Sequence, residues 1–299
     1  MDNTLSFKNI NSDSYYRFNY ENDFFSGTDI YYTQGIHMEL VAPWVKKIPL
    51  SKLLLHPRFG YTRYGIGVEH DGYTPTDISP DFILYGDRPF TACLFLKTFL
   101  IAIDTVKKQR FSTALNTGVI GQAAGGSEMQ SGIHRALHDL TPHGWRNQLH
   151  NDAILNYQAD YEKQLLSKGH IFSLDADAMA RAGTLSDKAG GGITMMIGYF
   201  DSPFSSGTAT KKNFRMYAYE HPEVDVVGYD ATLEGGVFNH TSPYTISPGN
   251  VIPVTFSNRF GFVVIYHRLY LEYFQSYLSG EFKTGTYHVW GGIQIAFGL

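Results

Sequence analysis

The chain has a single cysteine, Cys93, among 299 residues, so an intrachain disulfide and a thiolate metal cage are both excluded. Cys93 sits between Ala92 and Leu94-Phe95 and reads as a packed core or wall residue, not as a nucleophile. Charge is scarce as well, at 17% of residues with a formal net charge of −4. Lysine and arginine are scattered with no basic stripe, which argues against nucleic acid as a partner. Long apolar runs are missing. The longest, Thr91 to Ile103, is broken by Lys97 and is too short to cross a bilayer as a helix. The opening Met1-Asp2-Asn3-Thr4 has neither the basic start nor the apolar stretch of a secretory leader, so an exported form would have shed one.

What is present is aromatic and glycine-rich: 21 Phe, 21 Tyr, 3 Trp and 30 Gly. Such a composition suits strands and tight turns together. Period-two alternation recurs in twelve segments, roughly 13–23, 31–43, 58–72, 90–105, 110–120, 151–166, 168–183, 187–200, 213–221, 225–237, 254–276 and 281–299. In the last, Tyr287, Val289, Ile293, Ile295, Phe297 and Leu299 share one face, while His288, Trp290, Gln294 and Ala296 share the other. We therefore expect one all-β domain over 1–299, a 12-stranded antiparallel transmembrane β-barrel with a short N-terminal extension over 1–12. A soluble sandwich or lipocalin-like barrel also alternates, but the aromatic load and strand length favour a membrane wall. A closed barrel leaves no strand edge to pair, so a monomer is expected. Ser167-Lys168-Gly169 and Leu278-Ser279-Gly280 read as short hairpin turns, and the stretches Gly207 to Arg215 and Asn239 to Pro253 as long outer loops.

One region breaks the alternation. From Gly125-Gly126-Ser127-Glu128 through Met129, Ile133, Ala136 and Leu137, apolar residues recur at spacings of three and four, which predicts a short helix at about 126–138 in the loop before the sixth strand. Ser127 suits an N-cap, and Pro142-His143-Gly144 a stop. Three other polar stretches fall at the same end of the barrel: Tyr20-Glu21-Asn22-Asp23-Phe24-Phe25, Tyr31-Tyr32-Thr33-Gln34-Gly35 and Tyr85-Gly86-Asp87-Arg88-Pro89-Phe90. In a hairpin of the first two strands, Asn22-Asp23 and Thr33 face one another near one rim.

These residues carry a resemblance. Glu21-Asn22-Asp23, Tyr32-Thr33-x-Gly35, Gly86-Asp87-Arg88-x-Phe90, and Gly118-Val119-Ile120-Gly121 followed by Gly125-Gly126-x-Glu128-x-Gln130-x-x-x-His134 and Gly144-Trp145-x-x-Gln148 look like the LpxR-like lipid A 3′-O-deacylases of the Gram-negative outer membrane. The match runs in order over most of residues 14–166; beyond it the chain resembles the family only as strands. The resemblance implies a twelve-stranded barrel with its active site on the outer-leaflet side, between the wall and the loop helix. It implies His134 as the base that activates water, completed by Asn22, Asp23 and Thr33. It implies Ca2+ as cofactor, held by Asp23 and Asn22, and lipid A of lipopolysaccharide as substrate.

Beside that stand the bare chemical readings. An imidazole suits general-base ester hydrolysis near neutral pH, and a hard cation held by oxygen ligands suits oxyanion stabilisation. Asp23 also reads as an Asx turn and Thr33 as a plain strand hydroxyl. Asp87-Arg88 reads as an ion pair ordering the rim, and Glu128 and Gln130 as residues orienting the helix. His134 and His138 have i, i+4 metal-pair spacing, without the glutamate of the zinc-protease pattern. The lysine that related proteins place before Gly86-Asp87-Arg88, facing a lipid A phosphate, has no counterpart between Lys52 and Lys97, leaving Arg88 or Arg63 as stand-ins. A calcium-dependent outer-membrane phospholipase and a non-catalytic pore or structural barrel are the alternative functions.

Overall fold

The computed structural model describes residues 4–10, 12–28, 30–57, 60–138, 140–206 and 213–299. Its strands are β1 (Tyr15–Asn22), β2 (Tyr31–Val41), β3 (Tyr61–Thr74), β4 (Thr91–Asp104), β5 (Gln109–Ile120), β6 (Asp152–Lys168), β7 (Phe172–Gly183), β8 (Ser186–Tyr199), β9 (Phe214–Asp230), β10 (Val254–Tyr266), β11 (Leu269–Leu278) and β12 (His288–Gly298). Each is antiparallel to its neighbours in sequence, and β1 pairs with β12 from Tyr15↔Gly298 to Asn22↔Gly291, closing the barrel. No described helix is long and apolar enough to cross a membrane. Alternation sorts side chains between wall and lumen as expected for β12: Gln294 and Ala296 are fully buried, whereas Ile293 and Phe297 are exposed on the outer face.

The count of twelve is right, but two boundaries move. Segments 213–221 and 225–237 are one strand, β9, which carries Pro222 inside it, opposite Asn258. On the other side of β9 the ladder to β8 is interrupted between Gly192↔Glu223 and Met195↔Glu220 with its register unchanged, and a residue without an N–H is tolerated at such an interruption. Segment 254–276 is conversely two strands, β10 and β11, joined by the two-residue turn His267-Arg268. His267 itself takes the left-handed conformation at φ 52°, so no glycine or proline marks the turn. The turn at Gly169 is short, as read. The chain between β11 and β12 is instead a nine-residue loop, 279–287, anchored by the bridge Val251↔Phe282. Asn239 to Pro253 lies in the long β9–β10 loop, at the same end as the β5–β6 loop, but the β8–β9 connection is at the opposite end with the chain termini; within it, 207–212 lie outside the described residues.

The lumen is filled. At the terminus end, the N-terminal segment 4–10 folds inside the barrel and is gripped by wall donors. Arg110 donates to the Thr4 carbonyl at 2.6 Å, Tyr217 to Phe7 at 2.6 Å, Arg17 to Lys8 at 2.8 Å and Arg63 to Ile10 at 2.6 Å. Phe7 stacks on Tyr219 with ring centroids 4.2 Å apart. Buried charges in the wall are paired, as in Arg17–Glu39 and Lys97–Glu69, which desolvated charges require. Above the segment a polar cavity of about 250 Å³ is left among Asp177, His221, Arg259 and Trp290. The N-terminal extension therefore acts as a stopper, a role that its sequence does not announce.

Candidate active site

The loop end carries α1 (Gly126–Leu137), the helix expected in the β5–β6 loop. Its start differs from the sequence reading: Gly125, not Ser127, is the cap residue. The chain swings into the helix with Gly125 at φ 75°, a conformation glycine takes without a Cβ penalty. The helix ends at His138, itself left-handed at φ 57°, before Pro142 is reached, so His134 and His138 do not form the regular i, i+4 pair. α1 lies on the outer wall, not over the mouth. Its first residue is pressed so close that a Cβ on Gly126 would stand 2.5 Å from that of Ala92 and 2.6 Å from the Trp145 ring. His70, turned outward from β3, is within 3.0 Å of the Ala124 carbonyl just ahead of the helix.

Asn22, Thr33 and Gln130 are brought together. Asn22 ends β1 and clasps the hairpin: its Nδ2 donates to the Thr33 carbonyl at 2.7 Å and its Oδ1 accepts from the Phe24 amide at 2.7 Å. Thr33 occupies a bulge in β2, where the register to β3 shifts between Tyr32 and Gln34. Gln130, buried on α1, donates through Nε2 to Thr33 Oγ1 at 3.3 Å and accepts at Oε1 from the Trp145 indole at 2.6 Å. The helix is thus tied to the bulge by Gln130. Glu128, expected to share that work, is exposed on the rim of a neighbouring groove. Asp23 is buried and accepts the Ile30 amide at 2.6 Å, closing the β1–β2 loop across seven residues; the Asx turn expected at Asp23 is made by Asn22 instead, through its bond to the Phe24 amide.

His134 lies one helical turn beyond Gln130 on the same face of α1. Its Nδ1 is 2.7 Å from the Leu140 carbonyl. A carbonyl only accepts, so Nδ1 carries the proton and Nε2 is left as the basic nitrogen. The backbone oxygen of Leu140 thereby orients the imidazole.

Asp87 and Arg88 part company. The Asp87 carboxylate turns back to accept the Thr76 amide at 2.9 Å, while Arg88 enters the lumen, pairs with Glu281 and donates to Thr232 Oγ1 at 2.6 Å. Burial opposes the Arg88 charge, but Glu281 and Asp230 outweigh it and hold its pKa above the ordinary arginine value. Arg63 is likewise committed to the lumen, at Asn9 and Ile10. Neither arginine reaches the outer site: Arg63 sits at an inward position of β3, and Arg88 enters the lumen from the connection before β4. The exposed basic side chain beside His134 is Arg135.

For a cation, Asn22 and Asp23 offer only amide and carboxylate oxygens, a donor set that fits a hard ion such as Ca2+. Among the described residues one other cluster has three possible ligands, His37, Glu69 and Asp71, buried in the lumen. It is knitted by its own bonds: His37 Nε2 is 2.8 Å from Asp71, and His37 Nδ1 faces the Asn19 amide nitrogen at 3.1 Å. With Nδ1 accepting from Asn19, Nε2 holds the ring proton and is not open to a metal.

Outside the wall, below α1, runs an apolar groove of about 530 Å³ lined by Ile36, Met38, Val68, Leu94 and Met129. Ile36 lies three residues along β2 from Thr33, about 10 Å at strand rise.

Comparison with known proteins agrees with this architecture. No curated protein sequence matches the chain. Among solved structures, LpxR from Salmonella typhimurium superposes with a TM-score of 0.76 at 20% identity, covering 96% of this chain and 100% of that one. The β domain of the Bordetella autotransporter BrkA gives a TM-score of 0.46 at 8% identity over 96% and 99%, a general barrel likeness without further weight. The family model described as "Outer membrane protein LpxR" matches residues 4–299, and the chain belongs to that family of outer-membrane barrels.

Proposed function

We propose that this protein removes an acyl or acyloxyacyl chain from lipid A, at the 3′ position by resemblance to its family, with the active site at the outer leaflet. The observation that carries the reading is the site's address: Asn22, Thr33, Gln130 and His134 belong to the outer face of the wall and to a helix laid against it, beside an apolar groove. A lipid acyl chain can lie along Ile36, Met38 and Val68 while its ester lies about 10 Å away, at Thr33. Lumen residues could not meet a membrane lipid in that way.

His134 Nε2 accepts the proton of a water that attacks the ester carbonyl and returns it to the sugar oxygen as the ester C–O bond breaks, releasing the carboxylic acid, and the Leu140 carbonyl holds the imidazole in the tautomer this needs. Asn22 and Gln130 position the rim and the helix so that base and ester meet. Asp23 and Asn22 would hold a Ca2+ ion, which when bound would supply Lewis-acid stabilisation of the developing oxyanion, an effect worth on the order of a hundredfold or more in rate in comparable sites.

The test is mass spectrometry of purified lipid A incubated with the detergent-solubilised protein, with calcium or with chelator, beside His134→Ala. A calcium-dependent mass loss of one acyl or acyloxyacyl group, absent from the folded variant, supports the assignment. Hydrolysis of phospholipid alone would move the activity to a phospholipase using the same groove, and unchanged turnover in His134→Ala would reject the base.

A further inference from the structure

The β2–β3 connection at the terminus end, residues 42–60, plays no part in the site. No acidic residue lies between Glu39 and Glu69, whereas Lys46, Lys47 and Lys52 fall within this connection. Two short turns, Pro43–Lys47 and Pro49–Leu53, shape it. It does not hang free below the barrel. Leu54 is buried against Leu100, Ala102 and Leu115, with Leu50, Tyr64 and Tyr157 packed around them. Thr98, Leu100 and Ala102 sit at outward positions of β4 yet are fully covered, which on a bare barrel would be lipid-facing wall. Hydrogen bonds fix the contact: the Leu55 amide donates to Tyr157 Oη at 2.7 Å, and Thr113 Oγ1 to the Leu55 carbonyl at 3.2 Å. The segment is folded up against the outside of the wall and must sit at the membrane boundary.

What it turns away from the wall is of two kinds. Trp44, Leu53 and Leu55 are 49%, 62% and 62% exposed, and Lys46, Lys47 and Lys52 are exposed with them. Large apolar side chains and uncompensated lysines on one short segment are the composition of an interfacial anchor: aromatics and leucines enter the acyl boundary while lysines snorkel to phosphates. Long loops of bacterial barrels face outward and short turns face the periplasm; this segment shares its end with the short turns 105–108, 169–171 and 267–268, opposite the long loops 121–151 and 231–253, and so belongs at the inner leaflet.

We propose that residues 42–57 form an interfacial foot that binds anionic phospholipid headgroups of the inner leaflet through Lys46, Lys47 and Lys52, with Trp44, Leu53 and Leu55 seated in the acyl boundary. The proposal is independent of the hydrolase reading. A lysine near an anionic surface contributes about a fivefold preference, so three produce a clear local enrichment of anionic lipid.

The experiment reconstitutes the full chain in phosphatidylcholine vesicles carrying equal fractions of acyl-brominated phosphatidylglycerol or acyl-brominated phosphatidylcholine. The Trp44 contribution is obtained by subtracting Trp44→Phe from wild type. Quenching of that contribution is expected to be at least about twofold greater with the brominated anionic lipid. The preference should vanish in Lys46→Gln/Lys47→Gln/Lys52→Gln and survive in the matching triple arginine variant, whose charge is intact. Equal quenching by the two lipids, or no quenching by either, overturns the proposal, the latter pointing to a protein or a second copy of the chain as the occupant. A preference that persists in the triple glutamine variant overturns the role of the lysines.

Discussion

Replacing Gln130 by Leu removes two buried hydrogen bonds at nearly constant volume. The Trp145 indole N–H, 2.6 Å from Gln130 Oε1 and buried, is left without its acceptor, and Thr33 loses its link to α1. An orphaned buried donor costs about 1–3 kcal/mol. The barrel wall does not depend on this link, so the cost falls on docking of α1. Amide exchange in residues 126–138 should speed up by roughly five- to a hundredfold, each 1.4 kcal/mol being a factor of ten. Adding Trp145→Phe removes the orphaned donor. The double variant should therefore be destabilised by about 1–2 kcal/mol less than the sum of the singles. Because the tie to Thr33 is still cut, lipid A turnover should stay low in the double variant even where helix protection is partly restored. Unchanged exchange in Gln130→Leu, or strict additivity in the cycle, would refute Gln130 as the tether.

Gly126→Ala places a methyl 2.5 Å from Ala92 Cβ and should loosen α1 by about 1–3 kcal/mol, visible in the same exchange measurement with the barrel unchanged by circular dichroism. Asp23→Asn keeps an acceptor for the Ile30 amide but removes the charge; the proposed cation role predicts a raised calcium requirement for turnover, whereas a purely loop-closing Asp23 predicts an unchanged calcium titration. Burial drives the Lys8 ammonium in the lumen down to about 7, with Arg259 adding to the effect and Glu272 and Glu21 opposing it. Between that value and the ordinary 10.5 a detached N-terminal segment binds a proton that the seated one does not, so seating tightens as pH rises through this window and is weakest below it. Exchange protection of residues 4–10, taken as the ratio of wild type to Lys8→Met at each pH, should rise from pH 6 to 9; a flat ratio would sink the assignment.

The alternation in β12 was legible because each residue type matches its face, and α1 because its apolar spacing changes from two to three and four. The strand boundaries at Pro222 and His267-Arg268 were not. The strand runs on through Pro222 because a local gap in the ladder accommodates a residue without an N–H, and the turn at His267-Arg268 carries no glycine or proline because a histidine adopts the left-handed conformation. The N-terminal stopper has too few residues to show a period. Arg88–Glu281 joins positions far apart in the chain, so nothing local to Asp87-Arg88 could reveal that the adjacent aspartate is not the partner.

The candidate site was legible as an ordered set of motifs but not as a geometry, and the reason is one residue. Gly35, His37 and Glu39 are lumen positions: a Cβ on Gly35 would strike Tyr32 Oη, and His37 and Glu39 are buried in the interior network. Strict alternation carried back from them would point Thr33 into the lumen and Tyr32 out to the membrane. The bulge reverses this, so that Tyr32 reaches inward to Asp71 at 2.8 Å and Thr33 meets Gln130 on the outer helix. A one-residue slip exchanges the two faces of a strand. Here it is confined to the last turn of the hairpin, which keeps the polar lumen of β2 intact while delivering one hydroxyl and one carbonyl to the membrane side. The run Tyr31-Tyr32-Thr33-Gln34-Gly35 contains no glycine or proline at the bulge itself, so the inversion that moves the site from lumen to lipid is written only in the pairing with β3.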